Sequence, residues 1–468
     1  MNNRPEGLLI LKSGYAETLL LVFVLWLMAW QPAFAATPDK QYQAYIAQWA
    51  IYDPDPNHLW NQIFRSLYEI KDNNKGFCYD ETFFVLQNNL ACKFDRKTQA
   101  EIAGKLDKFL KADAETLITS PLKKAVFQHD LWRVFEWTLT HPNAFEKGGV
   151  KPLQKKLLRV MRRVALSRAE INRLPDNYQL THQAKTYPAR YSPSQRSPFF
   201  PDSFWGGKGD WVLLDDAVNF NDTPATIHRH RFSGRSSFFV LINLPGGREK
   251  TLALIKELRE FGGNPLRFFN ALKKQPDFDR RLLPLGTQVA LVRTMTVLSK
   301  SGWVYSTPIM ENLQLRVYRD PKLADLYPRS ENVKASTAFK SFPQDVYIFR
   351  MNRRLLFDNA ARSLTPVHGS DLHGQHTIKS LSGNTGKPED ISDLHVVESC
   401  ELCHGGNRLT SFQTFGRPAM TGERIPFLGE SSRDHIEYRF LQWKKQDASW
   451  GYLRALWQHL PEDKGETQ

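Results

Sequence analysis

The chain has 468 residues, 41% hydrophobic and 24% charged, with a formal net charge of +14 and four cysteines. This is ordinary globular composition, with enough length for two to four domains, and it excludes a disordered, fibrous or disulfide-dense chain. No nucleic-acid-binding module accompanies the basic balance, so the charge points to an acidic partner or to anionic lipid head groups.

At the N-terminus, Leu19 to Trp30 reads LLLVFVLWLMAW. The run is shorter than the about 20 residues that span a bilayer. Arg4 and Lys12 precede it, and Ala33-Phe34-Ala35 follows as an A-x-A cleavage signal. Residues 1–35 thus read as a signal peptide cut after Ala35, which places the chain in the periplasm or otherwise outside the cytoplasm. Glu17 beside the run departs from the usual basic flank, and an uncleaved anchor is the alternative. In an exported chain, Cys78 and Cys92 are expected to form a disulfide; two separate buried thiols are the other reading.

Residues 36–184 predict a helical domain. Leu59, Ile63, Leu67 and Ile70 recur at helical spacing, and Trp60 and Phe64 widen that face. Ser120-Pro121 marks a helix start, Ser167 to Glu170 is a capping-box pattern, and LQKKLLRVMRRVAL is a basic amphipathic helix. That helix reads as a packed element with a solvated basic face, or alternatively as a membrane-surface helix. His129-Asp130 lies within an amphipathic helix and reads as core or cap.

Residues 185–355 predict an α+β domain with a mostly antiparallel sheet. YPARYSPSQRSPFFPDSFWGG reads as a connecting loop, SSFFVLINL as a buried strand, and LPGGREKTLALIKELREF as turn and helix. TQVALVRTMTVL and LQLRVY are further strands, with a hairpin turn at Lys300 to Trp303. The turn Leu244 to Arg248 matches no nucleotide fingerprint. His228 and His230 share a strand face without a third ligand and read as basic surface. A polar linker, 356–384, leads to a C-terminal segment, 385–468, ending in HIEYRFLQWKKQDASWGYLRALWQHL.

That segment holds ESCELCHGG, with Cys400 and Cys403 two residues apart and His404 directly after. Cys-x-x-Cys-His is the attachment pattern of c-type haem. Two thiols at this spacing add to the two vinyl groups of the porphyrin, and the adjacent histidine reaches the iron. A thioredoxin-like pair would sit at a helix start, whereas Gly405-Gly406 follow this one directly. A structural zinc site would need four ligands.

Residues 385–468 resemble a small class I cytochrome c domain, on Cys400, Cys403 and His404, a helix leading into them and a helix at the C-terminus. The resemblance implies an all-α domain with one covalent haem c per chain. Cys400 and Cys403 would hold it, and His404 would be the proximal ligand. Met420, in GRPAMTGERIPF, is the candidate distal ligand, although its loop is short for that family. His435, His395 and the set His368, His373 and His376 are alternatives, as is a vacant position.

The whole chain is therefore expected to be multidomain α+β, with a helical domain, an α+β domain and a haem domain. Its expected function is electron transfer with a redox partner, which the basic balance suits if that partner is acidic. Peripheral membrane association is compatible with the same charge. A peroxidase or oxygenase with an open haem, or a haem-based ligand sensor, is the alternative.

Overall fold

The computed structural model describes residues 49–68, 94–140, 145–146, 148–205, 207–216, 234–260, 284–319, 344–367 and 428–460. Residues 1–48, with the expected signal peptide, Cys78, Cys92 and residues 368–427, with the expected linker and the whole of ESCELCHGG, lie outside them.

Among the described residues the chain opens with α1 (Leu59–Tyr68), α2 (Arg96–Lys111), α3 (Pro121–Thr140) and α4 (Val150–Arg163). In α1 the predicted stripe is inward over the described residues: Leu59, Ile63 and Leu67 are buried with Trp60 and Phe64, while Ile70 lies outside them. The start of α3 is as expected, with Pro121 first and the Ser120 hydroxyl facing the Lys123 amide at 3.4 Å. In α4 the apolar face, Leu153, Leu157, Leu158, Val160 and Met161, is fully buried. Its basic residues lie outward or in ion pairs, as Lys156 with Asp107 and Arg163 with Glu115. It is a packed helix with a solvated basic face. The short helices α5 (Arg168–Asn172) and α6 (Asn177–Gln183) follow. Ser167 and Glu170 form the predicted reciprocal capping box on α5.

The sheet comes next, with β1 (Val212–Asp216), β2 (Ser236–Asn243), the helix α7 (Gly247–Glu260), β3 (Gln288–Leu298), β4 (Val304–Tyr318), β5 (Gln344–Met351), the short helix α8 (Arg353–Asp358) and β6 (Leu364–Pro366). These six strands pair with their chain neighbours, antiparallel throughout. A seventh, β7 (Leu428–Glu430), pairs antiparallel with β1, so the order is β6-β5-β4-β3-β2-β1-β7. The strand that precedes residues 368–427 is thus one edge of the sheet, and the strand that follows them is the other.

β3 and β4 carry an irregularity: Thr294 pairs with Met310 and Thr296 with Ser306, so Met295 stands opposite three residues. One of the three is Pro308, which has no N–H to give a ladder and fits a bulge. Asn177 of α6 takes up the backbone there. Its side-chain oxygen accepts from the Met310 N–H at 2.7 Å, and its amide donates to the Met310 carbonyl at 3.0 Å.

The chain ends in α9 (Arg433–Gln446) and α10 (Ala448–Gln458), separated at Asp447, which caps α10. Their apolar side is spent on the body. Phe440, Trp443, Trp450, Leu453 and Trp457 belong to the same core as Trp60, Trp132 and Leu157. A second core lies on the opposite face of the sheet, where Phe239, Leu241, Val292, Leu313 and Phe349 meet Tyr178, Phe199, Phe200 and Phe204. The Pro/Ser/Arg-rich segment has no regular element, yet it supplies the aromatic lid of that core.

Candidate functional site

Helix α3 is buried on nearly all sides. Leu131, Trp132, Val134 and Phe135 are inaccessible, and so are His129, Asp130, Arg133 and Glu136. His129, Arg133 and Glu136 are spaced i, i+4, i+7 and share one face. Opposite them are ionisable residues of the sheet and of α9, so a cluster of charges lies between the helical layer and the strands.

Three carboxylates anchor it. Glu311 on β4 accepts from the Ser236 hydroxyl at 2.6 Å, stands 3.1 Å from His129 Nε2, and lies 3.5 Å from Arg293 Nε. The other ring nitrogen, Nδ1, faces the Thr296 carbonyl at 3.1 Å. Asp130 takes the Tyr52 hydroxyl on one oxygen and Arg353 Nη2, at 2.5 Å, on the other. The Tyr68 hydroxyl donates to the Asp130 carbonyl at 2.7 Å. Glu136 accepts from Trp132 Nε1 at 3.1 Å and from Lys444 Nζ of α9 at 3.4 Å. Gln128 adds a neutral brace: its amide donates to the Met161 and Leu298 carbonyls, and its oxygen accepts from the Leu298 N–H.

The three acids differ electrostatically. Burial pushes Asp130 up to about 7, against the pull of Arg133 and the Tyr52 hydroxyl. Burial acts on Glu311 in the same direction, but Arg293 and His129 outweigh it and hold that carboxyl well below the usual range. Burial lowers His129, with Glu311 opposing. Burial also lowers Arg235, with Arg133 adding to the effect, to about 10. At neutral pH Glu311 is therefore a fixed charge, and Asp130 is close to its own titration point. Burial likewise raises the Tyr52 and Tyr68 hydroxyls, so both stay protonated as donors.

Cys400, Cys403, His404, Met420, His368, His373, His376 and His395 lie outside the described residues, as do Cys78 and Cys92. Of the candidate haem ligands only His435 is described. It stands in the first turn of α9 with its side chain 57% exposed, and Nε2 is 3.7 Å from Asp215 Oδ2. Arg439, one turn on, donates to the same oxygen at 2.5 Å. His228 and His230 also fall outside, while the turn at Leu244 to Arg248 is described. There Arg248 donates to the Gly209 and Trp211 carbonyls and pairs with Glu430 of β7. It is a structural tie for the edge strand.

The cluster extends what the sequence placed at His129-Asp130 to Tyr52, Tyr68, Arg235, Arg293, Glu311, Arg353 and Lys444. A signal existed in part: Arg293 and Glu311 each interrupt an apolar strand, which is costly unless the charge is paired. Among the described residues no group of three or more His, Cys, Asp or Glu side chains could hold a metal ion. No described helix is long and apolar enough to cross a membrane. No protein-family model, no curated protein and no solved structure matches the chain.

Proposed function

We propose that this is an exported, monohaem c-type cytochrome protein that passes electrons to or from a partner. The observation that carries the reading is Cys400-x-x-Cys403-His404, whose spacing suits two thioethers and a proximal imidazole on one porphyrin. Cys400 and Cys403 would hold the haem, His404 would bind its iron, and Met420 is the candidate on the opposite side. When bound, the haem supplies a one-electron couple whose potential follows axial ligation, burial and hydrogen bonding.

The described body supports a scaffold role. Residues 368–427 leave it at β6 and rejoin it at β7, on opposite edges of one sheet. With strands about 4.8 Å apart, those edges are separated by roughly 29 Å, a span that 60 residues cover with chain to spare for a folded unit. The proposed haem-carrying unit then shares its last helices with the body. This differs from the class I arrangement, in which two terminal helices pack on each other. The proposal therefore rests on the motif and not on the helix pattern.

The test is an absorption spectrum of protein from the exported fraction of a haem-maturing host, oxidised and reduced, with and without CO. Covalent haem that is low-spin and indifferent to CO is expected. High-spin, CO-binding haem would replace electron transfer by ligand binding or peroxide chemistry. Absence of covalent haem would return Cys400 and Cys403 to zinc or disulfide chemistry.

A further inference from the structure

The outward side of α4 carries charge of one sign. Its sequence, VKPLQKKLLRVMRR, holds six cations and no carboxylate. Lys151, Lys155, Arg159 and Arg162 recur at i, i+4, i+8 and i+11 and so form one stripe, opposite the buried Leu153, Leu157 and Val160. Lys156 and Arg163, on the side of α2, are taken up by Asp107, Asp113 and Glu115. Lys151 and Lys155 are exposed and make no ion pair among the described residues. Helix α10 runs beside α4 and parallel to it. The Tyr452 hydroxyl donates to Gln154 Oε1 at 2.9 Å, and two turns on Arg162 Nη1 donates to the Leu460 carbonyl at 3.3 Å. The one charged residue of α10 is Arg454, so this helix adds no carboxylate either. The tip of the β3–β4 hairpin borders the same surface. There the Lys300 N–H donates to the Leu166 carbonyl, just past α4, at 2.9 Å. Gly302, at φ +75°, comes so close to Trp457 that a Cβ would stand 2.9 Å from the indole. The Arg454 guanidinium lies 4.1 Å from the centre of the Trp303 ring. Trp303 and Tyr452 nonetheless remain 40% and 37% exposed.

A stripe running the roughly 21 Å of a 14-residue helix is too extended for a small anion. Protein interfaces are depleted in lysine. Tryptophan and tyrosine are enriched at the boundary between head groups and hydrocarbon, where lysine and arginine reach the phosphates. We propose that the face made by α4, α10 and the hairpin tip 300–303 lies on an anionic lipid surface. Lys151, Lys155 and Arg162 stand over the head groups, and Trp303 and Tyr452 sit at the interface level. The attachment is peripheral and uses the outer side of a folded layer, whose inner side stays in the core. It does not rest on the haem reading, because none of these residues belongs to 368–427.

Co-sedimentation of the full chain with vesicles tests the proposal. One set is made of equal parts phosphatidylglycerol and phosphatidylcholine, the other of phosphatidylcholine alone, which registers any contribution of the apolar run at residues 19–30. Partitioning onto the anionic set is expected, weakened by added salt. Lys151→Glu/Lys155→Glu should lower it at least about 20-fold, from about fivefold for each basic residue lost. Arg190→Glu/Lys208→Glu makes the same change in net charge on the segment that covers the opposite core, and should lower it far less. Trp303→Ala, which alters no charge, should lower it severalfold. Both double variants replace exposed side chains, and unchanged thermal midpoints are the control for folding. Equal losses in the two double variants would assign binding to overall charge and overturn the face. Equal binding to both vesicle sets, unmoved by the substitutions, would assign it to the apolar run and overturn the face as well. If neither set is bound, the lipid is overturned. Retention on immobilised poly-glutamate that Lys151→Glu/Lys155→Glu abolishes would then make the face a site for an acidic protein.

Discussion

The two faces of the sheet are packed by opposite means. Toward the loop 187–205 the core is aromatic and aliphatic, with the Tyr178 hydroxyl donating to the Pro201 carbonyl and charges confined to its rim, where Tyr191 donates to Asp345. Toward α3 the interface holds aromatic side chains together with carboxyl groups, guanidinium groups and an ammonium. Apolar burial stabilises either face and tolerates small misplacements. Buried charges add little net stability when paired but penalise every arrangement that separates them. The α3 face therefore fixes where the helical layer, the sheet and α9 sit relative to one another, while the loop face contributes mainly burial.

The contrast can be broken from either side. Glu311→Leu leaves Arg293 and His129 without their carboxylate, and a loss of about 3–5 kcal/mol in urea unfolding is expected. A loss under 1 kcal/mol would show that the charged face is as forgiving as the other. Phe200→Ala opens a cavity in the loop face next to Phe349, where the rings stand 5.2 Å apart. About 3 kcal/mol should be lost, the lower end of the range for such truncations, because an irregular segment can close in on the space. Unlike Glu311→Leu, this change should leave α9 as protected from hydrogen exchange as before.

An effect spread over several pH units, and smallest per unit, sharpens the comparison further. Asp130, with a folded pKa of about 7, lies above the unfolded aspartate value of about 3.9. Its contribution is fully present below the unfolded value and is lost as pH rises through 7. Stability should fall across that window by no more than about 1.4 kcal/mol per pH unit, the limit for one proton. Asp130→Asn should flatten the slope. Glu311, held low, contributes the opposite way, with stability present above the unfolded value and lost in acid. An unchanged slope in Asp130→Asn would place the proton uptake elsewhere.

Local patterns carried much of the fold. The stripes of α1 and α4, the capping box at Ser167 and the strand SSFFVLINL each depend on neighbours in sequence, and each is present. β4 was legible only in LQLRVY, because Pro308 interrupts its first half and a bulge held by a distant asparagine restores it. β7 has three residues and no pattern of its own; its pairing comes from a strand more than two hundred residues earlier. The charged cluster failed to show for the same reason. Asp130 meets Arg353 across 223 positions and Glu136 meets Lys444 across 308. Sequence reveals a charge in an apolar run, but not the partner that makes it tolerable.

The place of β7, α9 and α10 also sets an order in time. The last strand of the sheet, and Trp443, Trp450 and Trp457 of the first core, follow Cys400 and Cys403 in the chain. A polypeptide delivered from its N-terminus thus presents both thiols before the residues that complete the body arrive. Contacts between such distant positions are slow to form. The two thiols are therefore made before the strand that closes that edge of the sheet.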